Sequence, residues 1–250
     1  VILGIIQGLT EFLPISSSGH LVLAQHFMDI NERGVLLEVI LHIGTLIAIL
    51  TYYWDELTNL AKDVFNGVAE SRTYVLYLAV ATVPAALAGI FFENRIESSF
   101  IPSVVIWMLM ITGLAVGSTY FVKHRSKRDF TYMIVLYIGF AQAFALLPGI
   151  SRSGITISVA LLMGIKHHEA AKFAFFMAIP ALLGASLLQM IKIDNLQQIA
   201  LFPLIIGLLT AAVTGYLVIN WLLAVISKGK FYFFSLYCAS IAIIAYIFIK

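Results

Sequence analysis

Three observations predict an all-α polytopic membrane protein: the apolarity of the chain, six apolar runs long enough to cross a bilayer, and a short polar pattern that occurs twice inside apolar sequence. Hydrophobic residues fill 61% of the 250 positions and charged residues 11%, with a mean hydropathy of +0.99. Such a chain has too little polar surface to cover a water-soluble globule of this size. The net charge of +2, with basic residues scattered between apolar runs, argues against a nucleic-acid partner. The single Cys238 can form no intramolecular disulfide and defines no zinc site. No charged leader with a small-residue cleavage site is visible, so no signal peptide is expected.

The first element, residues 1–28, is apolar but broken at its middle by Pro14-Ile15-Ser16-Ser17-Ser18-Gly19. Full spans follow at about 35–54, 73–92 and 101–122. A second broken element covers 132–165, interrupted from Pro148 to Gly154, and spans follow it at about 170–191, 200–226 and 231–249. Crossing the hydrocarbon core takes about 20 apolar residues, so these six segments suffice. The four half-segments of about 11–16 residues are too short. They predict two re-entrant helix-loop-helix hairpins, whose irregular backbone must be buried in protein or line a wet cavity.

Charge orients the spans. Lys123, Arg125, Lys127 and Arg128 form the most basic connection, with others at Lys166 and Lys172 and at Lys228 and Lys230. Placing all three on the cytoplasmic side puts 29–34, 93–100 and 192–199 outside and 55–72 inside. The first hairpin then enters from outside and the second from inside. One membrane domain over 1–250 is expected, built from inverted-topology repeats of about 1–122 and 132–250.

The repeat is visible in the residues. Ile15-Ser16-Ser17-Ser18-Gly19 and Ile150-Ser151-Arg152-Ser153-Gly154 share I-S-x-S-G at an offset of 135, which also aligns Gly4 with Gly139, Gln7 with Gln142 and Met28 with Met163. A duplicated polar loop in apolar sequence points to a site where two halves meet near the midplane. Gly19 and Gly154 are expected to permit positive φ and close ligand approach, and the half-helix N-termini to offer N–H donors to an anion. The serine hydroxyls add uncharged donors. Arg152, equivalent to Ser17, brings a permanent planar fork that matches phosphate oxygens. An arginine inside the membrane requires a counter-ion or an anionic ligand, and Glu11 is the candidate counter-ion.

Glu11 and His20 occur only in the first half, where their equivalents are Leu146 and Ile155. One loop therefore carries acid–base or metal-binding capacity and the other cationic capacity, a division suited to phosphoryl chemistry. His20 is a candidate general acid or base. Glu11 could orient it, activate a nucleophile or bind a divalent cation carried by a diphosphate. Gln7 shares the helical face of Glu11 and could position ligand or water. His42 lies in the first full span and is as readily a structural histidine as a site residue. Inverted repeats with broken helices are also a transporter architecture, so a lipid flippase is the alternative class.

These residues carry a family resemblance. Gln7-Gly-Leu-Thr-Glu11-Phe-Leu-Pro-Ile-Ser-Ser-Ser-Gly-His20, with Pro148-Gly-Ile-Ser-Arg-Ser-Gly-Ile-Thr156 and Leu41-His-Ile-Gly-Thr-Leu46, closely resembles the BacA family of undecaprenyl-diphosphate phosphatases over the whole chain. The resemblance implies hydrolysis of undecaprenyl diphosphate to undecaprenyl phosphate and inorganic phosphate. That reaction recycles the lipid carrier of bacterial cell-wall synthesis and confers bacitracin resistance. It further implies a divalent cation, Mg2+ or Ca2+, and a plasma-membrane (inner-membrane) enzyme opening to the external or periplasmic face. Its partners would be a polyprenyl diphosphate and membrane lipids. By the same resemblance Glu11 matches the second acidic position of an (E/Q)-x-x-x-E element and Gln7 the first, where many members have glutamate. Ser17 matches a proposed nucleophile, with attack by a metal-positioned water as the alternative, and His20 its proton-transfer partner. Ser151, Arg152, Ser153 and Thr156 match the phosphate-binding element, with Arg152 as the clamp. Ser16, Ser18, Gly19 and Gly154 complete the expected substrate-binding loops. A phosphatidate-phosphatase-like mechanism is rejected, because the residue six after Arg152 is Ser158 and not the required histidine. Small residues at Ala85-Ala86, Ala88-Gly89 and Gly184-Ala185 could serve contacts within or between subunits, which leaves a homodimer as an expectation.

Overall fold

A computed structural model describes residues 1–28, 35–122, 128–191 and 201–249. The expectations for Lys123, Arg125 and Lys127, and for the connections 29–34 and 192–199, lie outside the described residues.

Twelve α-helices occur among the described residues. The first pair is α1 (Ile2–Phe12) and α2 (Ser17–Phe27). Helix α1 stops because Pro14 disfavours helical backbone at the residue before it, and Leu13 is extended at φ −65° and ψ 148°. Helix α3 (Val35–Tyr52) meets α4 (Trp54–Phe65) at a bend of 73°. Helix α4 lies in the expected inside loop and buries no residue; Asp55 and Glu56 occupy its first turn and Lys62 its last, which complements the helix dipole. Then come α5 (Ala69–Phe91), the short α6 (Glu93–Ser98) within the expected 93–100 loop, and α7 (Pro102–Ser118), which begins on a proline. The second pair is α8 (Tyr132–Phe144) and α9 (Arg152–Leu162). Helices α10 (His167–Ile191), α11 (Leu201–Ser227) and α12 (Phe234–Phe248) complete the bundle.

Five continuous helical segments of 18–27 residues are long and apolar enough to cross a membrane, and the bent α3–α4 pair makes a sixth. The five match predicted spans to within about four residues; of the bent pair, α3 alone covers the predicted 35–54, and α4 runs on to Phe65. At 1.5 Å per residue, the 11 to 13 residues of α1, α2, α8 and α9 each reach about half of a ~30 Å core. The outer surface is strongly apolar: Leu114 is 75% exposed and Leu217 and Ile247 63% each, an arrangement that hydrocarbon accepts and water does not. The polar groups are turned inward, with Gln7, Glu11, Thr45, Thr112, Gln142 and Ser158 all buried.

Packing across the two halves is reciprocal. Helix α1 packs on α11, and its counterpart α8 packs on α5, the counterpart of α11. Small residues permit both approaches: a Cβ on Gly4 would lie 2.6 Å from the Gly207 carbonyl oxygen, and one on Gly139, its repeat equivalent, 2.8 Å from that of Ala81. Helices α3 and α10 pack on each other, as do α7 and α12. An aromatic cluster of Phe12, Tyr53, Phe175 and Phe176 fills the space beside α1, α3 and α10, with Phe12 edge-on to Phe175 at 5.7 Å.

Candidate active site

The last turn of α1 and the first residues of α2 and α9 converge on one carboxylate. Gln7 and Glu11 are four residues apart on α1, and Gln7 Nε2 donates to Glu11 Oε2 at 2.9 Å. Ser17 Oγ donates to the same oxygen at 2.6 Å. The other oxygen, Oε1, is paired with Arg152 Nη2, while Arg152 Nη1 donates to the Ala178 carbonyl of α10 at 3.4 Å. The Glu11 side chain is 4% exposed and that of Arg152 18%. A charge pair so enclosed is strongly destabilised when one partner is removed, by about 3–5 kcal/mol.

Each loop is held by the same cap. Ser16 Oγ accepts from Gly19 N at 3.1 Å, and Ser151 Oγ accepts from Gly154 N at 3.0 Å. Within each loop the paired hydroxyls also meet, Ser16 with Ser18 at 3.3 Å and Ser151 with Ser153 at 3.2 Å. The glycines are thus not where the chain turns, and the expectation of positive φ at Gly19 and Gly154 is corrected: Ser16 (φ 69°) and Gly149 (φ 96°) turn instead. Their amides are also spent on the caps, so they are not free anion donors. Gly19 and Gly154 are required by proximity. A Cβ on Gly19 would lie 3.0 Å from Gly149 Cα, and one on Gly154 3.2 Å from Pro14 Cβ, so each loop rests on the other. Ser151 and Ser153 further donate to the Leu13 carbonyl at 3.3 and 3.1 Å, and Thr156 Oγ1 donates to the Arg152 carbonyl at 2.7 Å.

A cavity of about 280 Å³ opens beside this network. Of the predicted residues, Glu11, Ser17, Ser18, Ser151 and Arg152 line it. Gln7, Ser16, Gly19, Ser153, Gly154 and Thr156 stand behind its wall as supports. His20 is turned elsewhere. Its Nδ1 donates to the Ser16 carbonyl at 2.8 Å, which leaves Nε2 to accept from Tyr237 Oη of α12 at 3.0 Å, with the two rings stacked at 5.7 Å. Glu11 therefore does not orient His20.

The histidine that faces the cavity is His42, whose Nε2 is 3.9 Å from Glu11 Oε2. Its Nδ1 donates to the Glu38 carbonyl at 2.8 Å, which leaves Nε2 as the ring nitrogen on the Glu11 side, able to take up a proton. Glu38 lines the cavity too, one turn before His42, and Glu93, Glu97 and Gln142 extend the polar lining. The sequence signal for the first two was their spacing: an acid and a histidine at i and i+4 in an apolar span share one face. Gln142 carried a weaker signal as the repeat partner of Gln7.

No three His, Cys, Asp or Glu side chains converge on a metal position among the described residues. Both oxygens of Glu11 are already engaged. Magnesium at phosphoryl-transfer sites keeps several waters and takes one or two carboxylates plus phosphate oxygens. The donor set here fits a cation of that kind, carried on a diphosphate, and not a cage made wholly of protein.

Fold and cavity define a polytopic α-helical membrane protein whose interior gathers a guanidinium, a carboxylate, hydroxyls and an imidazole between two broken helix pairs. The model of the family described as "Bacitracin resistance protein BacA" matches residues 1–244, and the chain belongs to that family. A relative from Geotalea daltonii, named undecaprenyl-diphosphatase, is 40% identical over 100% of this chain and 97% of its own length. Relatives of the same name from Halothermothrix orenii and Bacteroides thetaiotaomicron are 38% and 37% identical over 95% and 96% of this chain, and over 92% and 94% of their own lengths.

Proposed function

We propose that this chain hydrolyses undecaprenyl diphosphate to undecaprenyl phosphate and inorganic phosphate, recycling the cell-wall lipid carrier and conferring bacitracin resistance. The observation that carries the reading at the level of the site is the convergence of Arg152, Ser17 and His42 on Glu11 at the wall of one cavity. Family membership supplies the substrate.

The chemistry follows from those contacts. Glu11 neutralises Arg152; an entering diphosphate offers the guanidinium a second anion, and the fork binds the terminal phosphoryl oxygens. That exchange frees Glu11 to act on Ser17, whose hydroxyl already points at it. Ser17 Oγ attacks the terminal phosphorus, its proton passes to Glu11, and the bond from phosphorus to the bridging oxygen breaks, with undecaprenyl phosphate leaving on that oxygen. Water then attacks the phosphoserine and gives a proton to His42, while the proton held on Glu11 returns to Ser17 Oγ as its bond to phosphorus breaks, releasing inorganic phosphate and restoring Ser17. Arg152 balances charge on the transferred group throughout. A divalent cation, Mg2+ or Ca2+, would be held through the diphosphate with Glu11 and Glu38, and would supply further charge neutralisation there.

The same reading takes the two helix pairs as re-entrant hairpins of an inverted repeat over about 1–122 and 132–250, in the plasma membrane, with the cavity open to the external face. Supporting it are the reciprocal packing of α1 on α11 and α8 on α5 and the mutual contact of Gly19 with Gly149 and Gly154 with Pro14.

The test is phosphate release from undecaprenyl diphosphate by the purified protein in detergent, with magnesium or calcium and then with excess chelator. Release that the chelator abolishes is expected, as is loss of release in a folded Arg152→Ala. A folded, fully active Arg152→Ala would sink the assignment. No release from folded wild type would turn the reading towards lipid translocation, measured next as movement between leaflets.

A further inference from the structure

Gln142 is a buried amide without a protein partner among the described residues. It is 2% exposed, it lines the cavity, and neither its Nε2 nor its Oε1 has a hydrogen-bond partner among those residues. A buried amide in that condition is strongly unfavourable unless something completes it.

The repeat explains how the vacancy arose. Gln142 is equivalent to Gln7, and Leu146 to Glu11. In α1 the pair closes on itself, Gln7 Nε2 to Glu11 Oε2 at 2.9 Å. After Gln142 the residue four positions on is Leu146, just past the end of α8, so the same amide has no such acceptor. Nor can the helix turn away to hide it: Gly139, one turn earlier, fixes α8 against the Ala81 backbone, where even a Cβ would lie 2.8 Å from the carbonyl oxygen. The amide is thus held at the cavity wall with a donor and an acceptor to spare. The residues that follow α8 at that wall are apolar, Ala145 and Leu146.

We propose that Gln142 is a substrate-binding residue for the diphosphate head group, with Nε2 donating to a phosphate oxygen and Oε1 accepting from a water or hydroxyl carried with it. This rests on the diphosphatase reading above. Because its sequence neighbours at the wall, Ala145 and Leu146, are apolar, and the transferred phosphate goes to the cluster around Arg152 and Ser17, its contact is to the phosphate that stays on the lipid, not the one transferred. The contact is the same before and during the transfer, so it contributes to binding and leaves the chemical step alone.

The experiment is calorimetric binding of an uncleavable methylene-bridged analogue of farnesyl diphosphate to wild type, Gln142→Met and Gln142→Glu, with thermal unfolding of each and phosphate release from the true substrate scored separately. Gln142→Met is expected to bind about tenfold more weakly and to unfold at the same or a higher temperature, because it removes an amide unpaired in the free protein. Gln142→Glu, which sets a carboxylate against the phosphate, is expected to bind more weakly still. Equal affinity for wild type and Gln142→Met would overturn the proposal, as would no binding to wild type. A lower unfolding temperature for Gln142→Met would also overturn it, since that marks an amide satisfied inside the free protein. Wild type that binds the analogue but releases no phosphate, with Gln142→Met binding weakly, would refute hydrolysis and leave the Gln142 contact standing.

Discussion

The two polar loops have the same framework and different contents. Both cap the following helix through a serine Oγ and a glycine amide three residues on, and each packs on the other. They turn in different places, and one residue explains why. The 135-residue offset pairs Gly149 with Pro14. Gly149 takes φ 96° without penalty, whereas proline is locked near φ −65°, so the first loop defers its turn by two residues to Ser16 at φ 69°. A serine held there stores about 1–3 kcal/mol of strain. His20 holds that serine in place, accepting from Tyr237 and donating to the Ser16 carbonyl. The second loop needs no such clamp, and Ile155 stands at the position of His20. The shared framework thus holds a strained loop beside a carboxylate and a relaxed loop carrying a guanidinium.

This contrast can be broken or sharpened at four points. The largest effect is expected at the carboxylate that both loops share. Glu11→Gln should lower the rate of phosphate release roughly 10⁴-fold by removing the base, without raising KM, since Arg152 is left unpaired to bind the diphosphate. A steady-state analysis that showed only a raised KM would assign Glu11 to binding.

Next is Gly149→Ala. It forces a side chain into a positive-φ position where its Cβ would meet the Val105 carbonyl oxygen at 2.6 Å and Met108 Cβ at 2.7 Å. A loss of about 3 kcal/mol or more is expected, read as a lower unfolding temperature in detergent. Unchanged stability would mean that the second loop is free to turn elsewhere.

The two histidines come third. His42→Gln should reduce kcat about 10²-fold and flatten its pH profile, as loss of a proton carrier does. His20→Asn keeps a donor near the position of Nδ1 and should retain activity within about tenfold with the pH profile unchanged. The reverse pattern would return the proton-carrying role to His20.

The smallest effect belongs to Ser16→Gly, which relieves the strained φ while losing a cap that glycine replaces for a few tenths of a kcal/mol. A net gain of up to about 1 kcal/mol in stability is expected from thermal unfolding. A loss instead would mean that the serine hydroxyl, not the backbone, decides this loop.

The spans were legible because hydrocarbon imposes a length and a composition on any helix that crosses it, and 231–249 and 200–226 satisfy both with no tertiary information. Helix α4 was not, since its segment, rich in Asp55, Glu56, Lys62 and Asp63, reads as a connection and has no hydropathy signature of a span of its own. Residues close in sequence to the repeated motif were also legible: Glu11, Ser17 and Arg152 meet at one point as their chemistry required. The direction in which a side chain leaves its helix was not. His20, only three residues beyond Ser17, faces α12, and His42, on another helix altogether, faces the cavity.

The sequence by itself therefore determined the solvent, the number and order of the spans, the duplication and the membership of the BacA family, because each depends on composition, period or motif along one dimension. Tertiary structure alone decided which histidine lies beside Glu11, which face His20 takes and which of the motif residues line the cavity. Those outcomes depend on contacts between α1, α3, α8, α9 and α12, residues as far apart as His20 and Tyr237, and on a rotation about each helix axis that apolar spans exposed to lipid on one side and packed on the other do not encode locally.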